Sequence, residues 1–129
     1  MNIFKRVEQW NIDRNNTEFS LFTEVKMLSE ELYELVGFDR QGAKDRSLEF
    51  VNRHLTRLTA IDLDPGALAD AAGDLIFIAI GTLYKLGYDA EEVLAIICDA
   101  NDKKGNTKDA FGKIIKTQDF VEPVHEKYI

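Results

Sequence analysis

Three observations predict an all-α fold. Apolar residues recur at three- and four-residue intervals through most of the 129-residue chain. Helix starts are marked by Asn2, Thr17, Asp64-Pro65 and Asp89, and helix stops by Gly37 and Gly87. Residues 75–84 are apolar on every side, the signature of a helix buried all round. The expected architecture is a single domain over residues 1–129: a four- to five-helix bundle with an irregular C-terminal tail.

The first helix is expected over residues 2–11, capped by Asn2, with Ile3, Val7 and Trp10 at helical spacing. A polar turn follows at residues 10–16. Thr17 opens a second helix to about residue 36, with Glu18 in its first turn. Leu21, Val25, Leu28, Leu32 and Leu35 form a 4-3-4-3 stripe along it, the seam of a bundle helix. Phe22, Met27 and Tyr33 lie on the other side, so both faces are expected to be used. Residues 39–44 read as a loop, and residues 45–59 as an amphipathic third helix through Leu48, Val51, Leu55 and Leu58. Asp64 as N-cap and Pro65 at the first helical position start the central helix, which runs to about Leu86. Asp89 caps a last helix over residues 90–101 with Val93, Ile96 and Ile97 inward. The tail lacks helical periodicity, and residues 113–116 fit a short extended piece.

Composition narrows the function. At 45% hydrophobic and 30% charged the chain has the make-up of a soluble globular protein. A net charge of −7 repels phosphate backbones, so no nucleic-acid partner is expected. A nucleotide bridged by Mg²⁺ stays compatible with an acidic site. The longest apolar run is about ten residues between Asp74 and Lys85, so no membrane partner is expected. No signal-peptide pattern is read at the start, and the expected location is cytoplasmic. Cys98, the single cysteine, reads as core packing.

Two acidic clusters carry the chemistry. Glu30-Glu31-Leu32-Tyr33-Glu34 places three carboxylates within about one helical turn, so two side chains can grip one metal. Asp70 and Asp74, four residues apart, share a face at the mouth of the apolar segment. A carboxylate in such a place needs a cation, either a basic side chain or a metal. Oxygen-only ligands suit Mg²⁺, with Mn²⁺ as a substitute. His54 and His125, the only histidines, form no Glu-x-x-His pair, which argues against a di-iron site. Open positions on Mg²⁺ lead to phosphoryl transfer to water, with one carboxylate free to take the water's proton. Asn101 and Lys104 after the last helix, and Lys108, Lys113 and Lys116 in the tail, are placed to reach a triphosphate and close over it. Trp10, Phe22 and Tyr33 are candidates to stack on a base, and equally candidates for the core.

These residues resemble the MazG-like all-α nucleoside triphosphate pyrophosphohydrolases, a group that includes dimeric dUTPases and phosphoribosyl-ATP pyrophosphohydrolase. The resemblance lies in Glu30-Glu31-x-x-Glu34 followed by Asp70-Ala-Ala-Gly-Asp74-Leu-Ile-Phe. It extends to Trp10-Asn-Ile-Asp-Arg14, Ala100-Asn-Asp-Lys-Lys-Gly105 and Asp109-Ala-Phe-Gly-Lys-Ile-Ile-Lys116. The family pattern places a glutamate where this chain has Ala71, and Asp70 is its nearest substitute. What the resemblance implies is Mg²⁺-dependent hydrolysis of a nucleoside triphosphate, such as dUTP or a non-canonical dNTP, to the monophosphate and pyrophosphate. Glu30, Glu34, Asp70 and Asp74 would hold metal, and Glu31 would activate water or serve as an extra metal ligand. Asn101, Lys104, Lys113 and Lys116 would contact substrate, and a homodimer or homotetramer would be the assembly. Phosphoribosyl-ATP hydrolysis is the alternative substrate, and a non-catalytic helical interaction module the alternative of another class.

Overall fold

Helices begin where a short polar side chain can satisfy the first free backbone amides. The computed structural model describes residues 2–59 and 63–126, and among them the protein is all-α. Six helices form: α1 (Ile3–Asp13), α2 (Leu21–Leu35), α3 (Arg40–Arg53), α4 (Leu55–Leu58), α5 (Pro65–Lys85) and α6 (Ala90–Asn101). Asn2, Asp64 and Asp89 cap α1, α5 and α6 by accepting from the amides of Lys5, Gly66 and Glu91. Gly37 (φ +102°) and Gly87 (φ +88°) end α2 and α5 in the left-handed conformation that glycine adopts without strain.

Three boundaries differ from the sequence expectation. α2 starts at Leu21 rather than after Thr17, because Ser20 supplies the cap, its Oγ accepting from the Thr23 amide. Residues 39–44 are not a loop: Asp39 caps α3 through the Gly42 amide, and the helix starts at Arg40. The expected third helix breaks at His54, whose half-buried ring lies 4.7 Å from that of Phe50, and Leu55–Leu58 form the separate α4.

The chain divides into two compact units. One comprises Met1–Thr17, Leu63–Thr107 and Ile114–Ile129, and contains α1, α5 and α6. Val93, Cys98, Ala100 and Ile114 are its buried apolar residues, so Cys98 is the core residue expected. The other comprises Glu18–Asp62 and Lys108–Lys113, with α2, α3 and α4. Its packing runs along Ala43, Ser47 and Val51 of α3, one residue per turn and almost fully buried. Small side chains there let α2 come close, and Lys26, Ser29 and Glu30 are the buried residues of α2.

Two expectations about faces are corrected. The leucine stripe of α2 is not a buried seam: Leu28, Leu32 and Leu35 are at least half exposed, and the polar face carrying Lys26 and Glu30 is buried instead. α5 is not buried all round: between Pro65 and Ile80 every residue but the half-buried Leu68 is exposed, Gly81–Leu83 are half-buried, and none is fully buried. Asp74 therefore sits on an open helix rather than at the mouth of a buried one. α5 is also long and apolar enough, by length and composition, to cross a membrane, which counting a continuous apolar run had missed.

Candidate functional site

The acidic cluster of α2 splits by burial. Glu30 is 5% exposed and lies between two ammonium groups. Lys26 Nζ donates to Oε1 at 2.7 Å from one turn earlier, and Lys113 Nζ donates to Oε2 at 2.7 Å. Burial alone would raise the Glu30 carboxyl, but the hydrogen bonds from Lys113 and Lys26 outweigh it and hold the group below the usual carboxylate range. Lys26 is itself 6% exposed, and its ammonium lies 4.7 Å from the centre of the Phe111 ring, which stacks on Phe22. Thr23 Oγ1 donates to the Phe111 carbonyl oxygen, so the tail segment bearing Lys113 is fastened to α2 at two points. Gly112, at φ +89°, turns that segment; an added Cβ would lie 3.2 Å from Thr23 Oγ1.

Glu31 and Glu34, three residues apart on the same helix, meet each other instead. Partial desolvation, then the negative charge of Glu34 and a hydrogen bond shared with it, push the Glu31 carboxyl above its ordinary value. The Glu31 side chain is exposed overall, so the like charge beside it is the cause with most weight. One turn of helix thus carries a neutralised carboxylate and a mutually repelling pair.

Asp70 and Asp74 occupy successive turns of α5, both exposed, and neither makes a hydrogen bond or ion pair among the described residues. No group of three or more Asp, Glu, His or Cys side chains placed to hold a metal occurs among the described residues.

The expected substrate-binding residues fall into separate places. Trp10 joins α1 to the end of α6: its indole N–H donates to the Asn101 carbonyl oxygen at 2.9 Å, and the Arg14 guanidinium stacks 4.5 Å from its ring centre. Arg14 also donates to the carbonyl oxygens of Asn101, Asp102 and Lys104, a cation on the negative end of the α6 dipole. Arg6 completes the clamp with Asp99 (2.9 Å) and Asp102 (2.8 Å). The Asn101 side of this contact borders a hollow of about 140 Å³ lined also by Arg6, Trp10 and Cys98, well below the several hundred Å³ of a nucleotide pocket. Lys104 and Lys116 converge on one ring, their ammonium groups 5.5 and 5.4 Å from the centre of Phe120, while Lys116 also pairs with Glu122 at 2.7 Å. Lys113 belongs to Glu30.

Sequence reasoning passed over Lys26 and gave Arg14 and Phe120 no role of their own. The Lys26-to-Glu30 spacing of four is itself a signal for an ion pair. No local signal links Lys113 to Glu30, 83 residues away. No family model matches the chain, and no curated protein or solved structure matches it either.

Proposed function

We propose that the protein is a Mg²⁺-dependent hydrolase that splits a nucleoside triphosphate, a deoxynucleotide by preference, into the monophosphate and pyrophosphate. The observation that supports this most is the Glu31–Glu34 pair. A carboxylate whose proton affinity is raised by a neighbouring one is suited to take a proton from attacking water, as a general base must. Glu31 is assigned that role. Glu34 is assigned to the cation, and the sequence expectation adds Asp70 and Asp74. Mg²⁺, when bound, supplies neutralisation of the triphosphate and a more acidic water. Glu30 is held by Lys26 and Lys113 and joins the cation only by giving up one of them. Lys104 and Lys116, both against the Phe120 ring, are assigned to the substrate's phosphates, Lys116 by giving up Glu122.

The test is pyrophosphate release from a panel of canonical and modified NTPs and dNTPs, in Mg²⁺ or in EDTA. Release is expected in Mg²⁺ alone, and Glu34→Gln is expected to slow it by orders of magnitude. Full activity of Glu34→Gln would end this assignment. The Lys26–Glu30–Lys113 grouping favours a second reading, a non-catalytic helical module whose acidic groups serve only as ion-pair partners. It predicts silence across the panel, phosphoribosyl-ATP included, and a melting temperature indifferent to Mg²⁺.

A further inference from the structure

We infer that the leucine stripe of α2 is one strand of a two-stranded coiled coil, whose other strand is a basic heptad helix of a different protein. Binding alone reads this, so it holds with or without hydrolysis. In heptad register Val25 and Leu32 take the a positions, and Leu21, Leu28 and Leu35 the d positions. Leu28, Leu32 and Leu35 are 50–66% exposed, and Leu21 and Val25 half-buried. At about 100° per residue these five fall within roughly 80° of one another, so they share one face. Lys26, Ser29 and Glu30, the buried residues of α2, centre about 130° further round the helix. The face that packs inside the unit is thus a different one, and the seam is left to water. Valine at a and leucine at d favour a two-stranded pairing.

The flanks of the seam select its occupant. Glu24 and Glu31 hold the g positions beside it, and neither makes an ion pair among the described residues. Burial raises the Glu24 carboxyl, and a cation laid against it would offset that. The other flank, Phe22, Ser29 and Val36 at the e positions, carries no charge. A coiled-coil partner meets g residues with its own e or g residues, according to its direction, so lysine or arginine there completes both contacts. A second copy of α2 is the wrong partner. Run antiparallel, it sets Glu24 and Glu31 against the same glutamates; run parallel, it sets them against uncharged Ser29 and Val36. The other helices supply no basic seam either. α6 carries only acidic charges, α5 offers Asp70, Asp74 and a single Lys85, and α3 holds one leucine. α1 spends Lys5 on Glu8 and Arg6 on Asp99 and Asp102.

The probes are two synthetic three-heptad peptides with leucine at a and d, one carrying lysine and the other glutamate at every e and g position. A scrambled form of the lysine peptide is the control. In fluorescence anisotropy with the full chain, the lysine peptide is expected to bind saturably, roughly tenfold or more tighter than the other two. Leu32→Asp is expected to weaken that binding at least tenfold. Because this variant adds a negative charge, general attraction to an acidic protein would move the result the other way. Glu24→Lys/Glu31→Lys is expected to reverse the preference in favour of the glutamate peptide. Should either variant fail to fold, amide exchange of the unaltered chain decides: the lysine peptide is expected to slow exchange in α2 more than in any other helix. Absence of binding, equal binding of the scrambled peptide, undiminished binding to Leu32→Asp, or protection centred elsewhere would each overturn the proposal. So would a dimer in sedimentation that Leu32→Asp dissolves, since a second copy would then occupy the seam.

Discussion

Glu30 is the residue on which its unit's electrostatics turn. Its carboxylate balances Lys26, a side chain as deeply buried as itself. Removing one member of a buried pair leaves the other charge uncompensated, which costs more than the pair contributes. Glu30→Gln is expected to destabilise the protein by about 3–5 kcal/mol in urea unfolding. Lys113→Ala is expected to cost less, because Glu30 keeps Lys26. Glu30's folded value lies below its unfolded one near 4.3, so its stabilisation is complete above about pH 4.3 and is lost as pH falls through the folded value. Glu31 has the opposite sign: its folded value is raised, so it favours folding below about pH 4.3 and this is lost as pH rises through the folded value. Glu31→Gln is therefore expected to stabilise the protein at neutral pH by a few tenths of a kcal/mol, read as a small rise in melting temperature. If Glu31 is the base, the same variant loses pyrophosphate release, and retained activity would reassign that role.

At the scale of the helix, what was readable is local and what was missed depends on neighbours. The caps of α1, α5 and α6 and the stops at Gly37 and Gly87 involve residues within a few positions of one another, so their geometry is written in the sequence. Thr17 and Ser20 are chemically equivalent as caps, and only the path of the chain chooses Ser20. Ser20→Ala is expected to cost about 1 kcal/mol in thermal or urea unfolding, and Thr17→Ala close to nothing. Equal effects would return the start of α2 to residue 17. The face α2 buries was misread for a related reason. A leucine stripe outscores a polar one in any periodicity, yet Lys26 and Glu30 neutralise each other, and small Ser29 lets α3 approach. The three glutamates were recognisable as a functional candidate from spacing alone. That one of them belongs to Lys113 was not, since the pairing spans 83 residues.

Across the whole molecule, the chain passes between its two units four times, after residues 17, 62, 107 and 113. The last visit contributes only Lys108–Lys113, yet that stretch delivers Lys113 to Glu30 and Phe111 to Lys26 and Thr23. A chain ending at residue 107 retains every helix and loses those contacts. It is expected to unfold at lower urea than the full chain, with amide-exchange protection lost in α2 and α3 and also in the unit that buries Ile114. Uniform protection of α2 in the shortened chain would show the tail to be dispensable.

This interleaving also bears on how the protein is made. Glu30 emerges from the ribosome well before its second lysine, and at roughly 5–20 residues per second the interval is on the order of 4–17 s. During it α2 can coil and α3 can pair with it, but the carboxylate faces Lys26 alone, and the last six-residue strap is still inside the exit tunnel. Neither unit can finish in order of synthesis, since each waits for sequence from beyond residue 107. Completion of both units thus waits until the stretch beyond residue 107 has emerged.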